Sequence, residues 1–170
     1  MIPSDHFVRF YNEAFKFLDK AGSRHLEEFW REIGKHQERH CLELFRTKGL
    51  KGMQEYWERI AIEENCSLEI KLHNGYLEFD MKKCPSLSKA LDNDASCFER
   101  YCDHCPGWVS QILNKAGYWM VYDLLDRKKP QCCLRIYENS DAAARKEQEL
   151  LQSGHTIVVT NLRGEDKEDV

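Results

Sequence analysis

Cys102-Asp103-His104-Cys105 places three soft or borderline donors within four residues, and the motif does not stand alone. Cys84 lies upstream in Lys83-Cys84-Pro85, Cys97 follows it, and the pair Cys132-Cys133 comes downstream, so six of the eight cysteines fall between residues 84 and 133. Thiolate sulfur and imidazole nitrogen are the donors that Zn²⁺ takes in tetrahedral sets of three or four. A Cys-x-x-Cys pair supplies half of such a site. Cys84 and Cys132 are the candidates to complete a zinc set with Cys102 and Cys105, because each adjoins a strand end and strand ends can converge beside one helix terminus. The regular second Cys-x-x-Cys of a zinc ribbon is absent. The same tetrad could serve as a dithiol redox pair at a helix N-terminus. That arrangement wants a strand before the first cysteine, whereas Phe98-Glu99-Arg100-Tyr101 reads as helix. A third chemistry is nucleophilic, with Cys102 attacking and His104 as general base, since imidazole titrates near neutral pH. Against all three stands the plain alternative that a cysteine is a small buried apolar side chain. Cys41 and Cys66, each on the apolar side of its element, are read that way.

Two further groups could line a pocket. His36 and His40 lie one helical turn apart beside the stripe Leu26, Phe29, Ile33 and Leu44, so the spacing predicts imidazoles directed inward, to a ligand or to ordinary interior hydrogen bonds. Gln37 occupies the position where an HExxH metalloprotease needs glutamate, which excludes that class. Trp108, Tyr118 and Tyr122 give the cysteine region aromatic surface suited to a compact organic ligand, or equally to a core.

The elements that must position these residues follow from periodicity. Apolar residues from Phe7 to Leu18 recur at helical spacing between Ser4 and Gly22, a second helix opens near Ser23, and a third runs from about residue 51 to 64. The period then changes to two. Cys66, Leu68, Ile70 and Leu72 alternate with polar residues, as do Leu77, Phe79 and Met81, and Asn74-Gly75 between them predicts a type I′ hairpin. Short helices are expected near 96–102 and 108–115. A second antiparallel pair follows at 118–124 and 132–137, then a polar helix at 141–152 and an edge strand near 156–160. In that pair alternation assigns Cys132 to the inward face and Cys133 to the other. The fold class expected is α+β, with N-terminal amphipathic helices packed on an antiparallel sheet built from two hairpins. Residues 1–162 are expected to form one domain and 163–170 a disordered charged tail.

A chain of 170 residues can build a core without covalent staples, so its eight cysteines are not needed as disulfides. The 25 basic and 29 acidic residues are interspersed and leave a formal charge of -4. No one-signed field invites nucleic acid or an anionic membrane, and a small molecule or protein is the expected partner. No apolar run approaches a membrane span and no basic-then-apolar leader opens the sequence, so a soluble cytoplasmic protein is expected. In that compartment cysteines serve as ligands, nucleophiles or apolar filling. The richly charged outer side of the second helix, from Arg24 to Arg39, also admits a partner-binding module.

Cys84-Pro85, Tyr101-Cys102, Gly117-Tyr118 and Cys132-Cys133-Leu134-Arg135-Ile136, in this order and spacing, resemble the L-2-amino-thiazoline-4-carboxylic acid hydrolase-like family, and more distantly the vinyl-reductase-type small-molecule-binding domains. The resemblance covers roughly residues 50 to 137. It implies helices on an antiparallel sheet, a cysteine-lined pocket and hydrolytic opening of a small sulfur-containing ring. Carried onto this chain it reaches Cys84, Cys102 and Cys132. His104-Cys105-Pro106 departs from the family pattern, which has an acidic residue and no second cysteine there. Two functions are therefore expected: a hydrolase of a small heterocyclic or amide-like substrate using Cys102 and His104, with or without zinc, and a non-catalytic small-molecule or metal sensor with a structural zinc site.

Overall fold

The computed structural model describes residues 5–92, 94 and 96–162. Helix α1 (Asp5–Ala21) leads across Gly22 into α2 (Ser23–Glu63). The two helices expected for α2 form one run, kinked at Gly49, whose φ of 58° and ψ of −143° no helix contains. On α1 the chain buries Val8, Asn12 and Phe15 and leaves Phe7, Phe10 and Phe17 exposed, so the inward face is rotated from the stripe the phenylalanines suggest. Asn12 explains the choice. Its Nδ2 donates to the Ser96 carbonyl at 2.8 Å, which also accepts from Lys16, and its Oδ1 accepts from the Phe98 amide at 2.7 Å, so a buried side chain ties α1 to the segment before Tyr101.

The hairpin β1 (Ser67–His73) and β2 (Tyr76–Lys83) turns through Asn74-Gly75 with His73 opposite Tyr76. Gly75 alone takes a positive φ, so the two-residue turn is present but is not the type I′ form expected. A second hairpin, β3 (Trp119–Asp123) and β4 (Cys132–Tyr137), joins the first through β2 and β4. With β5 (Val158–Thr160) the sheet is five-stranded and antiparallel throughout, in the order β1-β2-β4-β3-β5. The fold is the α+β class expected. One face packs on α2 and on α4 (His104–Ala116) around Phe45, Met53, Leu77, Met120 and Ile136. The other is covered by α5 (Ser140–Gln152) over Val121 and Tyr137.

Between the hairpins the helices differ from expectation. Residues 85–91 form α3, with Pro85 at its first position and Cys84 as its cap, whereas 96–102 are irregular up to a 3₁₀ turn at Tyr101–Asp103. Ser96 takes a positive φ of 65°, which a right-handed helix does not contain, and its carbonyl, which a helix would have used, accepts from Asn12 and Lys16 instead. The tail at 163–170 lies outside the described residues.

Candidate functional site: a thiol-lined cavity beneath the sheet

Four sulfurs from separate elements converge. Cys132 opens β4 opposite Met81 of β2, and Cys84 lies just past the end of β2, its amide donating to the Pro130 carbonyl at 2.7 Å. The strand pairing and that one bond hold the Cys84 and Cys132 backbones side by side. Cys84 then caps α3, its sulfur accepting from the Leu87 amide at 3.4 Å. Cys102 and Cys105 straddle the corner between the 3₁₀ turn and α4, and that corner is pinned from outside. Asp103 turns away from the sulfurs to meet Arg127 at 2.6 Å and Arg100 at 3.2 Å, the first tying it to the β3–β4 turn. Helix α4 lies close on α2 because Gly34 and Gly107 face side chains with no Cβ between. A Cβ on Gly34 would meet the Trp108 carbonyl at 2.8 Å and the Gln111 side chain closer still.

The result is a cavity of about 60 Å³ lined by Cys84, Cys102, Cys105 and Cys132 with Tyr101 and Tyr122 among its walls, and with no Lys, Arg, Asp or Glu. Tyr122 stands between two of the sulfurs. Its hydroxyl lies 3.4 Å from Cys132 Sγ and also within hydrogen-bonding reach of Cys105. A second space of about 140 Å³ adjoins it, sharing Met81, Cys105, Tyr122 and Cys132, and is walled otherwise by apolar side chains such as Trp57, Phe79 and Leu134. The pocket is therefore bilobed, with one lobe of thiols and one of hydrocarbon.

Burial without a cation governs the chemistry of these groups. Desolvation pushes the Cys84 and Cys105 thiols up to about 11 and that of Cys132 up to about 12, and it raises Cys102 further still, with the neighbouring sulfurs adding to the effect at Cys102. Cys66, at the foot of β1, is raised to about 11 by burial and then by Cys84 and Cys105, so it belongs to the same neighbourhood. His104 is buried and pushed down to about 4, again chiefly by desolvation. Its Nδ1 meets the Tyr101 carbonyl and its Nε2 lies 3.3 Å from Cys105 Sγ. Nδ1 therefore carries the proton and Nε2 is the acceptor, facing Cys105.

Of the residues expected at a site, Cys84, Cys102, His104, Cys105, Cys132 and Tyr122 line this cavity together. His36 and His40 do not, and both are solvent-exposed. The buried stripe of α2 passes through Trp30, Gly34, Cys41 and Phe45, rotated from Ile33 and Leu44, because the glycine face is where α4 can approach. Trp108 packs against the His104 ring, 4.5 Å between centroids, on the side of α1 and α2. Tyr118 packs at the Gly49 kink. Tyr101, whose hydroxyl bonds Ser86 at 2.7 Å, and Met81 are pocket residues that spacing did not single out. The pairing of Tyr101 with Cys102 in one turn was the signal available for the first.

Among the described residues no three His, Cys, Asp or Glu side chains stand in a ready metal-ligating arrangement, and no helix is long and apolar enough to cross a membrane. Comparison with family models, curated proteins and solved structures gives no match.

Proposed function

We propose that the chain is a non-catalytic binding domain for a thiophilic ligand, with a soft metal ion, Zn²⁺ foremost, taken by Cys84, Cys102, Cys105 and Cys132. The observation that carries this reading is the convergence of four thiols in one small cavity whose lining has no acid, no base other than His104 and no cation. A neutral thiol cluster is a poor nucleophile but a good latent ligand set, because a dication supplies the positive charge that the cavity lacks and lowers the thiol pKa values. Each sulfur is spoken for by a weak hydrogen bond or by packing, and rotation about its own Cα–Cβ bond would redirect it. The Tyr122 hydroxyl would leave the space between Cys105 and Cys132 and donate to a thiolate. The apolar lobe beside the cluster would accept the hydrocarbon part of a small molecule, which gives metal and ligand a shared wall. Because four ligands close a tetrahedral site, this reading is structural or sensory rather than hydrolytic.

Metal analysis of the purified chain, with Co²⁺ substitution and thiol titration, tests it. One metal per chain, protection of four thiols, thiolate-to-cobalt absorption, and loss of all three in Cys84→Ser and Cys132→Ser are expected. A metal-free protein that gives no cobalt spectrum and in which every thiol of the folded chain reacts at the same rate with and without added Zn²⁺ would overturn it.

The contact of Cys105 with His104 favours a second reading, hydrolysis of a small sulfur- or nitrogen-containing ring or amide. Cys105 Sγ would attack the electrophilic carbon while its proton passes to His104 Nε2. The imidazole would return that proton to the leaving nitrogen or sulfur, and water would then cleave the thioester. In this version Cys102 shapes the pocket. Mass-spectrometric capture of an iodoacetamide adduct on Cys105 ahead of the other thiols, abolished by His104→Gln, would favour this reading over the metal reading.

A further inference from the structure

Strand β1 forms one edge of the sheet, and among the described residues no strand pairs with its outer side. The register fixes which groups face out. His73 and Tyr76 flank a two-residue turn and form a hydrogen-bonded pair, so His73, Lys71 and Glu69 direct their amides and carbonyls toward β2. Leu68, Ile70 and Leu72 direct theirs outward. An edge of this length, open and without proline, is a template for another strand unless charge or a bulge blunts it, and the strand's one register shift falls between Ser67 and Leu68, at the end of the segment 68–72.

The charges here do not blunt it against a copy of itself. Sequence Ser67-Leu68-Glu69-Ile70-Lys71-Leu72-His73 is self-complementary about Ile70 in the antiparallel sense. We propose that β1 pairs with β1 of a second copy of this chain across a two-fold axis at Ile70, joining the two sheets edge to edge. Ile70 then exchanges both N–H···O bonds with Ile70 of the second copy, and Leu68 does the same with Leu72, which uses the three residues whose backbone groups face out. Glu69 stands opposite Lys71 of the second copy in the intervening non-hydrogen-bonded positions, where side chains come closest. Within one chain these two are an exposed pair at 3.0 Å, and the dimer exchanges that contact for its symmetric equivalents.

The side-chain face agrees with the backbone. Ala61, Ile62, Leu68 and Ile70 line an open groove of about 550 Å³ between the end of α2 and the strand edge, with Ile62 81 % and Leu72 45 % exposed. In the antiparallel register Leu72 of the second copy lies beside Leu68 and so enters that groove. An isologous contact of this kind closes on itself and does not propagate into fibres.

Light scattering and sedimentation of the full chain across the micromolar range test the proposal, with amide exchange as a readout that needs no variant. A mass twice that of one chain is expected, with slow exchange at Leu68, Ile70 and Leu72 that becomes fast on dilution. Lys71→Glu and Glu69→Lys should each weaken association by about tenfold or more while the circular dichroism is retained. The double variant Glu69→Lys/Lys71→Glu should restore it, as should an equimolar mixture of the two single variants. A wild-type chain that stays single at all concentrations, or association indifferent to both charge reversals, or a double variant no better than the singles, would each overturn the pairing. None of these readouts depends on whether the thiol cavity binds metal.

Discussion

Burial holds a thiol in its protonated form, and desolvation is the leading cause that raises the thiol pKa at all eight cysteines of this chain. The consequence can be measured away from the cavity, at Cys41. That side chain is 1 % exposed, its sulfur donates to the Gln37 carbonyl at 3.3 Å, and burial, followed by the Glu38 carboxylate, pushes its thiol up from 9.0 to about 11. A group whose folded pKa is raised favours the protonated folded state. Its contribution is complete below the unfolded value near 9 and is lost as pH rises through about 11, with a slope of up to about 1.4 kcal/mol per pH unit. Urea unfolding between pH 8 and 11 should therefore show stability falling with pH, and Cys41→Val should fall less steeply by about that slope. Parallel curves would mean that Cys41 does not titrate on unfolding in this range. On the proposed metal reading, uptake by Cys84, Cys105 and Cys132 would release protons, so affinity should weaken as pH falls.

At the scale of elements, the kink in α2 is a backbone demand that one residue type meets. Gly49 sits at φ 58° and ψ −143°, and a Cβ there would lie 2.8 Å from the Tyr118 hydroxyl. Gly49→Ala should cost about 2–3 kcal/mol in chemical denaturation, because strain and contact act together, whereas Gly154→Ala, at φ 88° with open space around it, should cost about 1. Local signals made most elements legible in the sequence: α1, the β1–β2 hairpin, β3, β4 and α5 each carry their own periodicity and turn chemistry. What escaped was decided at a distance. The segment before Tyr101 has helical composition, but its backbone is bonded by Asn12 of α1, and α3 is too short for periodicity to declare it. At the site the same division holds. Cys84 and Cys132 could be placed from strand ends and alternation, while the facing of His36 and His40 depended on Gly34 admitting α4, a contact no pattern within α2 reveals.

For the molecule as a whole, the position of the thiols between two apolar clusters matters more than their number. Cys102 packs against both the core beneath the sheet and the cluster that α1, α2 and α3 build around Phe15, Trp30 and Tyr101. Phe15 is the hub of that second cluster, with ring centroids 5.6 Å from Trp30, 5.7 Å from Tyr101 and 5.5 Å from His104. Loosening it should open the thiol corner, because Cys84 and Cys102 pack against this cluster. Val121 is an equally buried residue on the opposite sheet face, under α5 and on the side of Cys133. Phe15→Leu and Val121→Ala should each cost about 1–3 kcal/mol, yet alkylation under native conditions should separate them. Phe15→Leu should speed the labelling of Cys97 and Cys102 relative to Cys133, and Val121→Ala should do the reverse. If both variants accelerate every thiol alike, the protein opens as one unit and the seam has no independent mobility. If they divide as expected, the helical layer can loosen over the cavity while the sheet stays closed, which is the motion that would widen a ligand's access to these partly exposed sulfurs.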